Sequence, residues 1–234
     1  MTLFAATPKQ VEQYLILSNA EEELISMEAE FSAMQSSFTS TKQGSSSEYD
    51  MQMLSIRFRD YLQRKLSEKE MTEILDNYKE LVLLQFASAS GVVVDENQSK
   101  LYLIKLKKSD DAETRIDLVD KISKKLYTDK MMEIFFDELI KPLLLGGQNN
   151  KSIDSSLLEK AKKEYITNSQ EDAQTQTLYV TREFSIEELE RLLLIVKTPA
   201  SDHEVKAVFG ATAYALKDFF LSMRSRYDVN KHTK

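Results

Sequence analysis

The sequence predicts an all-α protein built of two tandem related helical units of about four to five helices each, packed as one bundle-like body. Three observations carry this. First, the 234 residues include only 5 Gly and 3 Pro, few for a sheet protein full of tight turns. Leu, Glu, Lys, Ala and Met, the residues that favour helix, are abundant. Second, apolar residues recur at helical spacing along most of the chain. Third, the stretch 61–79 is rewritten at 179–197, with a helix start at the same place in each copy. Ser67 and Ser185 are predicted N-caps, and Glu70 and Glu188, three residues on, complete a capping box in each. Leu66 and Phe184 precede the caps, and Met71 and Leu189 hold the fourth helical position, the pairing of a hydrophobic staple.

Taken in order, Thr7-Pro8-Lys9-Gln10 is a helix start, with threonine as cap, proline at the first helical position and glutamine closing the box. Val11, Tyr14, Leu15 and Leu17 face inward. Asn19 with Glu22 restarts a helix carrying Leu24, Met27, Phe31 and Met34. The Ser/Thr-rich stretch 37–49 reads as a loop. Leu54, Phe58, Tyr61 and Leu62 form one stripe, followed by Met71, Ile74, Leu75 and Tyr78 after the first Ser-Glu box. Val92–Val94 and Leu101–Leu106 are read either as a short hairpin around Asp95-Glu96-Asn97-Gln98 or as a helix end and a further helix, with helix preferred for the second segment. Gly146-Gly147 marks a turn. Leu189, Leu192, Leu193 and Val196 repeat the buried face of the first copy. Thr198-Pro199 ends that helix, and Ser201 with Glu204 is predicted to cap the last one, lined by Val205, Val208, Phe209, Leu216, Phe219 and Phe220.

The early helices also have counterparts: Val11, Tyr14 and Leu17 match Ile116, Val119 and Ile122. The repeats therefore span 7–108 and 111–228. The second holds about 11 extra residues near 167–177, close to three helical turns. That polar stretch is predicted to be a helix extension standing away from the core or a loose loop.

The net charge of −7 lacks the basic stripe of a nucleic-acid binder, so no nucleic-acid partner is expected. The lysines between Lys100 and Lys130 alternate with acids and read as a solvated mixed-charge face. No cysteine is present, which removes disulfides, thiolate nucleophiles and cysteine metal sites. No apolar run approaches a membrane span; the richest, Met131–Leu145, is broken by Glu133, Asp137, Glu138 and Lys141. Leu3-Phe4-Ala5-Ala6 reads either as the end of a largely absent secretory signal or as an ordinary frayed terminus.

Chemistry-bearing motifs are sparse. His203-Glu204 lacks the second histidine of a zincin, and His232 sits in a terminal tail. There is no glycine-rich phosphate loop, Gly-x-Ser-x-Gly elbow or EF-hand loop. The run Glu21-Glu22-Glu23 suits a first helical turn, where acids favour the macrodipole. No catalytic, cofactor-binding or metal-ligating residue is assigned, and no cofactor. Tyr61 with Arg64, and Tyr179 with Arg182, recur three residues apart. They are read first as packing or cation–π contacts, and second as candidate partner or anion contacts. Asn97 opens an Asn-x-Ser sequon, a candidate N-glycosylation site on an exported chain and otherwise a chance tripeptide.

At Phe184-Ser185-Ile-Glu-Glu188-Leu189-Glu-Arg-Leu192 and Val196-Lys197-Thr198-Pro199-Ala200 the chain resembles an uncharacterised all-helical family of exported Gram-negative bacterial proteins, known chiefly as a domain of unknown function. The opening from Thr7-Pro8-Lys9-Gln10-Val11 to Met27 is similar to the family's usual start. In the first copy Glu80-Leu81 replaces the Thr-Pro step, so that helix is expected to run on. In the second, Ser201-Asp202 replaces the usual glycine. The resemblance implies a periplasmic or secreted protein and supplies no catalytic residue. Together these readings favour a non-enzymatic protein-interaction module, with a protein segment bound in a groove between the units. The alternatives are a carrier of an apolar ligand or lipid in an interhelical cavity, lined by Met, Phe and Tyr, and an enzyme without a recognisable motif.

Overall fold

The computed structural model describes residues 4–22, 24, 51–91, 96–146 and 155–226. The described residues are all-α, with no strand. They form α1 (Pro8–Ser18), α2 (Met51–Lys65), α3 (Glu68–Asn77), α4 (Leu81–Ser90), α5 (Glu96–Leu106), α6 (Ala112–Leu126) and α7 (Asp129–Phe135). A π-helical turn (Phe136–Ile140) follows, then α8 (Lys141–Gly146), α9 (Ser155–Val180), α10 (Ile186–Val196) and α11 (Pro199–Arg226). The calls on Met27, Phe31, Met34, the 37–49 loop and Val92–Val94 fall outside the described residues, as do the side chains of Phe219 and Phe220.

The starts of α1, α3 and α10 follow directly from local sequence. The side chains of Thr7, Ser67 and Ser185 accept from the backbone N–H of Gln10, Glu70 and Glu188, and each of those side chains reaches back to the cap's own N–H. Ser67 and Glu70 add a hydroxyl-to-carboxylate bond of 2.7 Å. These bonds favour the charged carboxylate, so the Glu70 pKa lies below the ordinary glutamate value. Gln10 spends its amide on the Glu68 carbonyl and the Thr72 hydroxyl, tying α1 to α3. Ala6 donates to the Leu66 carbonyl and Glu68 to the Phe4 carbonyl, so the chain's opening is zipped onto the α2–α3 junction. The two Ser-Glu helices bury equivalent faces: Met71, Ile74 and Tyr78 in one, Leu189, Leu192 and Val196 in the other. Each also packs on the helix matched to it by the early counterparts, α1 on α3 and α6 on α10.

Three expectations are corrected. The first copy's helix does not run on through Glu80-Leu81. It stops at Asn77 and restarts at Leu81. Glu80 has extended backbone there, and its carboxylate is held by Arg191 of α10 at 2.6 Å, while Asn77 donates to Thr198. Contacts with the second half therefore accompany a break the local sequence does not announce. The last helix starts at Pro199, not after Ser201: the Thr198 hydroxyl accepts from the Ser201 N–H, leaving Ser201 buried inside the helix. This repeats the Thr-Pro start of α1, with proline at the first position. The polar stretch 167–177 is neither detached nor loose. It is the middle of the 26-residue α9, with Ala173 and Thr177 buried. Asn19 ends α1 in the left-handed conformation (φ 56°) and also accepts from the Glu22 N–H, so one residue closes a helix and opens the next turn.

One hydrophobic core draws on both halves of the chain, from Val11, Tyr14, Leu54, Phe58 and Ile74 to Val119, Ile122, Leu189, Leu192 and Leu216. Its axis is α11 against α2. There α2 offers Leu54, Phe58 and Leu62, all fully buried, and α11 offers the small residues Ala207, Ala211 and Ala215. The π-helical turn reconciles two adjacent aromatics with one core. Neighbours on an α-helix diverge by about 100°, yet Phe135 and Phe136 are both buried, on Phe209 and Tyr165 respectively. Arg115 is buried, its guanidinium on Asp111 at 3.2 Å and on the Thr181 carbonyl, which locks α6 to the end of α9.

Candidate functional site

The helices line a partly open cavity of about 400 Å³ between α1, α4, α7, α9, α10 and α11. The long-helix packing creates it. Tyr14 reaches in from α1 and Tyr78 from the end of α3, with Phe86 behind them on α4. Phe135 and Phe209, stacked edge to face at 5.2 Å, close another side. Ser169, Asp172, Ala173 and Gln176, from the polar stretch 167–177, supply part of the α9 wall. The extra stretch that looked detachable in the sequence is thus structural lining.

Two carboxyl groups line this space, Asp172 of α9 and Glu204 of α11. Glu204 lies in the second turn of α11, and its Oε1 accepts hydrogen bonds from Tyr78 (2.6 Å) and Tyr14 (3.0 Å). The two phenol rings meet edge to face at 5.8 Å. No described residue bonds Oε2 of Glu204. Glu204 is half-buried by exposure, and since it lines the cavity, part of that exposure is to the cavity. Burial pushes its pKa up to about 7, against the opposing pull of the Tyr78 and Tyr14 hydrogen bonds. Near neutrality the group is shared between an acid that can donate and a carboxylate that can accept.

Its neighbour His203 points elsewhere. The Nδ1 atom lies 3.4 Å from the Glu70 carboxylate, buried and without an aligned hydrogen bond, so the contact is ionic when the ring is protonated and weak otherwise. The signal that could have found Glu204 was present in the sequence. Ser201, Glu204, Val208 and Thr212 recur at helical spacing along a buried stripe and all line the cavity. An acid on such a stripe can serve as a helix cap or as a buried functional group, and the cap reading masked the other.

The residues singled out from the repeat do not converge. Arg182 lies over the Tyr179 ring, 4.3 Å from its centroid, and donates to the Tyr179 carbonyl. Arg64 instead lies over Tyr214 of α11 and pairs with Asp60. The face of Tyr61 is taken by Lys65, and its hydroxyl sits against Gly210. Tyr179 donates to Gln98, and Tyr102 meets it edge to face. Asn97 is exposed near the start of α5, with the sequon's Ser99 buried beneath it. Among the described residues no group of three or more His, Asp or Glu is placed to hold a metal ion, and no helix is long and apolar enough to cross a membrane.

Comparison with protein-family models, characterised proteins and solved structures yields no match.

Proposed function

We propose that this protein carries an apolar small molecule in the interhelical cavity. The observation that supports the reading is the cavity itself: about 400 Å³, within the roughly 300–1,000 Å³ usual for small-molecule sites, with a mainly apolar exposed lining in which Tyr, Phe, Leu and Val are interspersed with Ser, Thr, Gln and two acids. Carriage is favoured over catalysis because, among the described residues, one carboxyl has a strongly raised pKa there and no histidine, lysine or arginine lines the wall. It is favoured over protein docking because the space is set between several helices and its exposed lining is mainly apolar. Periplasmic or secreted location, from the family resemblance, belongs to the same proposal, and fractionation of cells expressing the chain tests it.

Binding of the neutral dye Nile red is the direct assay. The expected result is saturable fluorescence enhancement that weakens in Ala173→Leu, which puts extra methyl groups into the cavity wall. Native mass spectrometry of the purified protein is expected to show retained small molecule. Absence of dye binding together with a clean apo mass overturns the carrier.

A further inference from the structure

The cavity's polar chemistry is one-sided. Among the described residues its ionisable lining consists of Glu204, Asp172 and the tyrosines 14, 78, 127 and 165, with no lysine, arginine or histidine. An anionic head group entering it would lose hydration without gaining a partner charge. Around Glu204 the surroundings are equally specific. Tyr14 from α1 and Tyr78 after α3 both direct their protons at Oε1. On its own helix His203 turns to Glu70, and Asp172 of α9 adds a second acid to the same cavity. From α4, α6, α7 and α10 the wall is Leu83, Leu126, Met132, Ile195 and Val196, none of them ionisable, and α2 contributes nothing to it. Glu204 lines the cavity with Oε2 bonded by no described residue, among aromatic residues whose ring faces also attract cations.

Building on the carrier reading, we propose that the ligand is a hydrophobic amine whose ammonium group docks on Oε2 of Glu204 while its apolar body fills the space between Phe86, Phe135 and Phe209. The ammonium supplies the opposite charge that the half-buried carboxylate lacks in the protein, as a charge-assisted hydrogen bond in a poorly hydrated site. A neutral alcohol of the same length can only share a weaker neutral bond, and a fatty acid meets like charge.

The test is displacement of Nile red by a matched series, dodecylamine, dodecanol and dodecanoate, below their aggregation limits. At pH 8 the amine is expected to displace the dye at a concentration about tenfold or more below that of the alcohol, with dodecanoate weakest. Lowering the pH from 8 to 6 protonates Glu204 and is expected to weaken the amine about tenfold, leaving the alcohol little changed. In Glu204→Gln the amine-to-alcohol ratio is expected to fall to about one. An amine no better than the alcohol, an amine preference that ignores pH, or preference for dodecanoate overturns the amine assignment while the carrier stands. No Nile red binding at all overturns both. The pH arm uses the unaltered chain, so it decides the matter even if the glutamine variant folds poorly.

Discussion

At Glu204 burial and hydrogen bonding oppose each other, and burial wins. The folded protein therefore holds this proton more tightly than the unfolded chain does, which makes protonation stabilising. That stabilisation is complete below the ordinary glutamate pKa of 4.5, shrinks as pH rises from there, and is gone above about 7. The full effect is at most about 3 kcal/mol, and water entering the cavity reduces it. Urea titrations at pH 5 and pH 8 are expected to show the unaltered protein losing about 1–3 kcal/mol more than Glu204→Gln over that interval. Equal losses would contradict the raised pKa. Gly210 is a second residue whose identity is set by a neighbour. A Cβ there would lie 2.4 Å from the Tyr61 hydroxyl and 2.8 Å from its ring. Alanine is intrinsically better in a helix than glycine by about 1 kcal/mol, yet Gly210→Ala is expected to lower the melting temperature. Adding Tyr61→Ala is expected to cancel the clash, so that the double variant is more stable than additivity predicts.

At the scale of elements, the Ser-Glu boxes are the parts most closely specified by local sequence. Ser67→Ala and Ser185→Ala are each expected to destabilise by about 0.5–2 kcal/mol, measured by chemical denaturation. The Ser67 box has an acid whose pKa is lowered, so its contribution is present above the ordinary carboxylate range and lost as pH falls through the folded pKa of Glu70. The penalty of Ser67→Ala is therefore expected to shrink on acidification. The break between α3 and α4 has the opposite origin. It rests on Glu80 and Asn77 meeting Arg191 and Thr198 across the molecule, and the exposed Arg191–Glu80 pair alone is worth no more than about 1 kcal/mol. Packing of Val82, Leu83 and Phe86 fixes the new helix. Similarly, nothing in the polar composition of 167–177 says that its residues meet a cavity, because the α6 residues that pack on it, such as Asp120 with Gln174, lie distant in sequence.

At the scale of the molecule, helices from 7–108 and 111–228 share one core, and α11 packs along α2 and α3 of the other stretch. Cooperative unfolding is the expected consequence. Calorimetry is predicted to give one transition, with calorimetric and van't Hoff enthalpies equal. Two resolved transitions would mean that the stretches hold separate cores. Long-range ion pairs such as Lys217–Glu138 and Arg59–Glu21 decorate the outside of this body. Being exposed and screened, they contribute direction more than stability.

Local sequence by itself determined the helical class, the three boxed helix starts and the stripes of α1, α2, α3, α10 and part of α11, because caps and periodic burial are set by residues within a turn or two of one another. Only the tertiary structure decided the break at Glu80, the inward turn of α9 and the cavity with Glu204 at its wall, whereas the start at Pro199 follows from the local Thr198 cap. Each of the first three depends on groups distant in sequence, such as Arg191 with Glu80, Gln174 with Asp120 and Tyr14 with Glu204, where helix packing, not local propensity, chooses which side chain meets which.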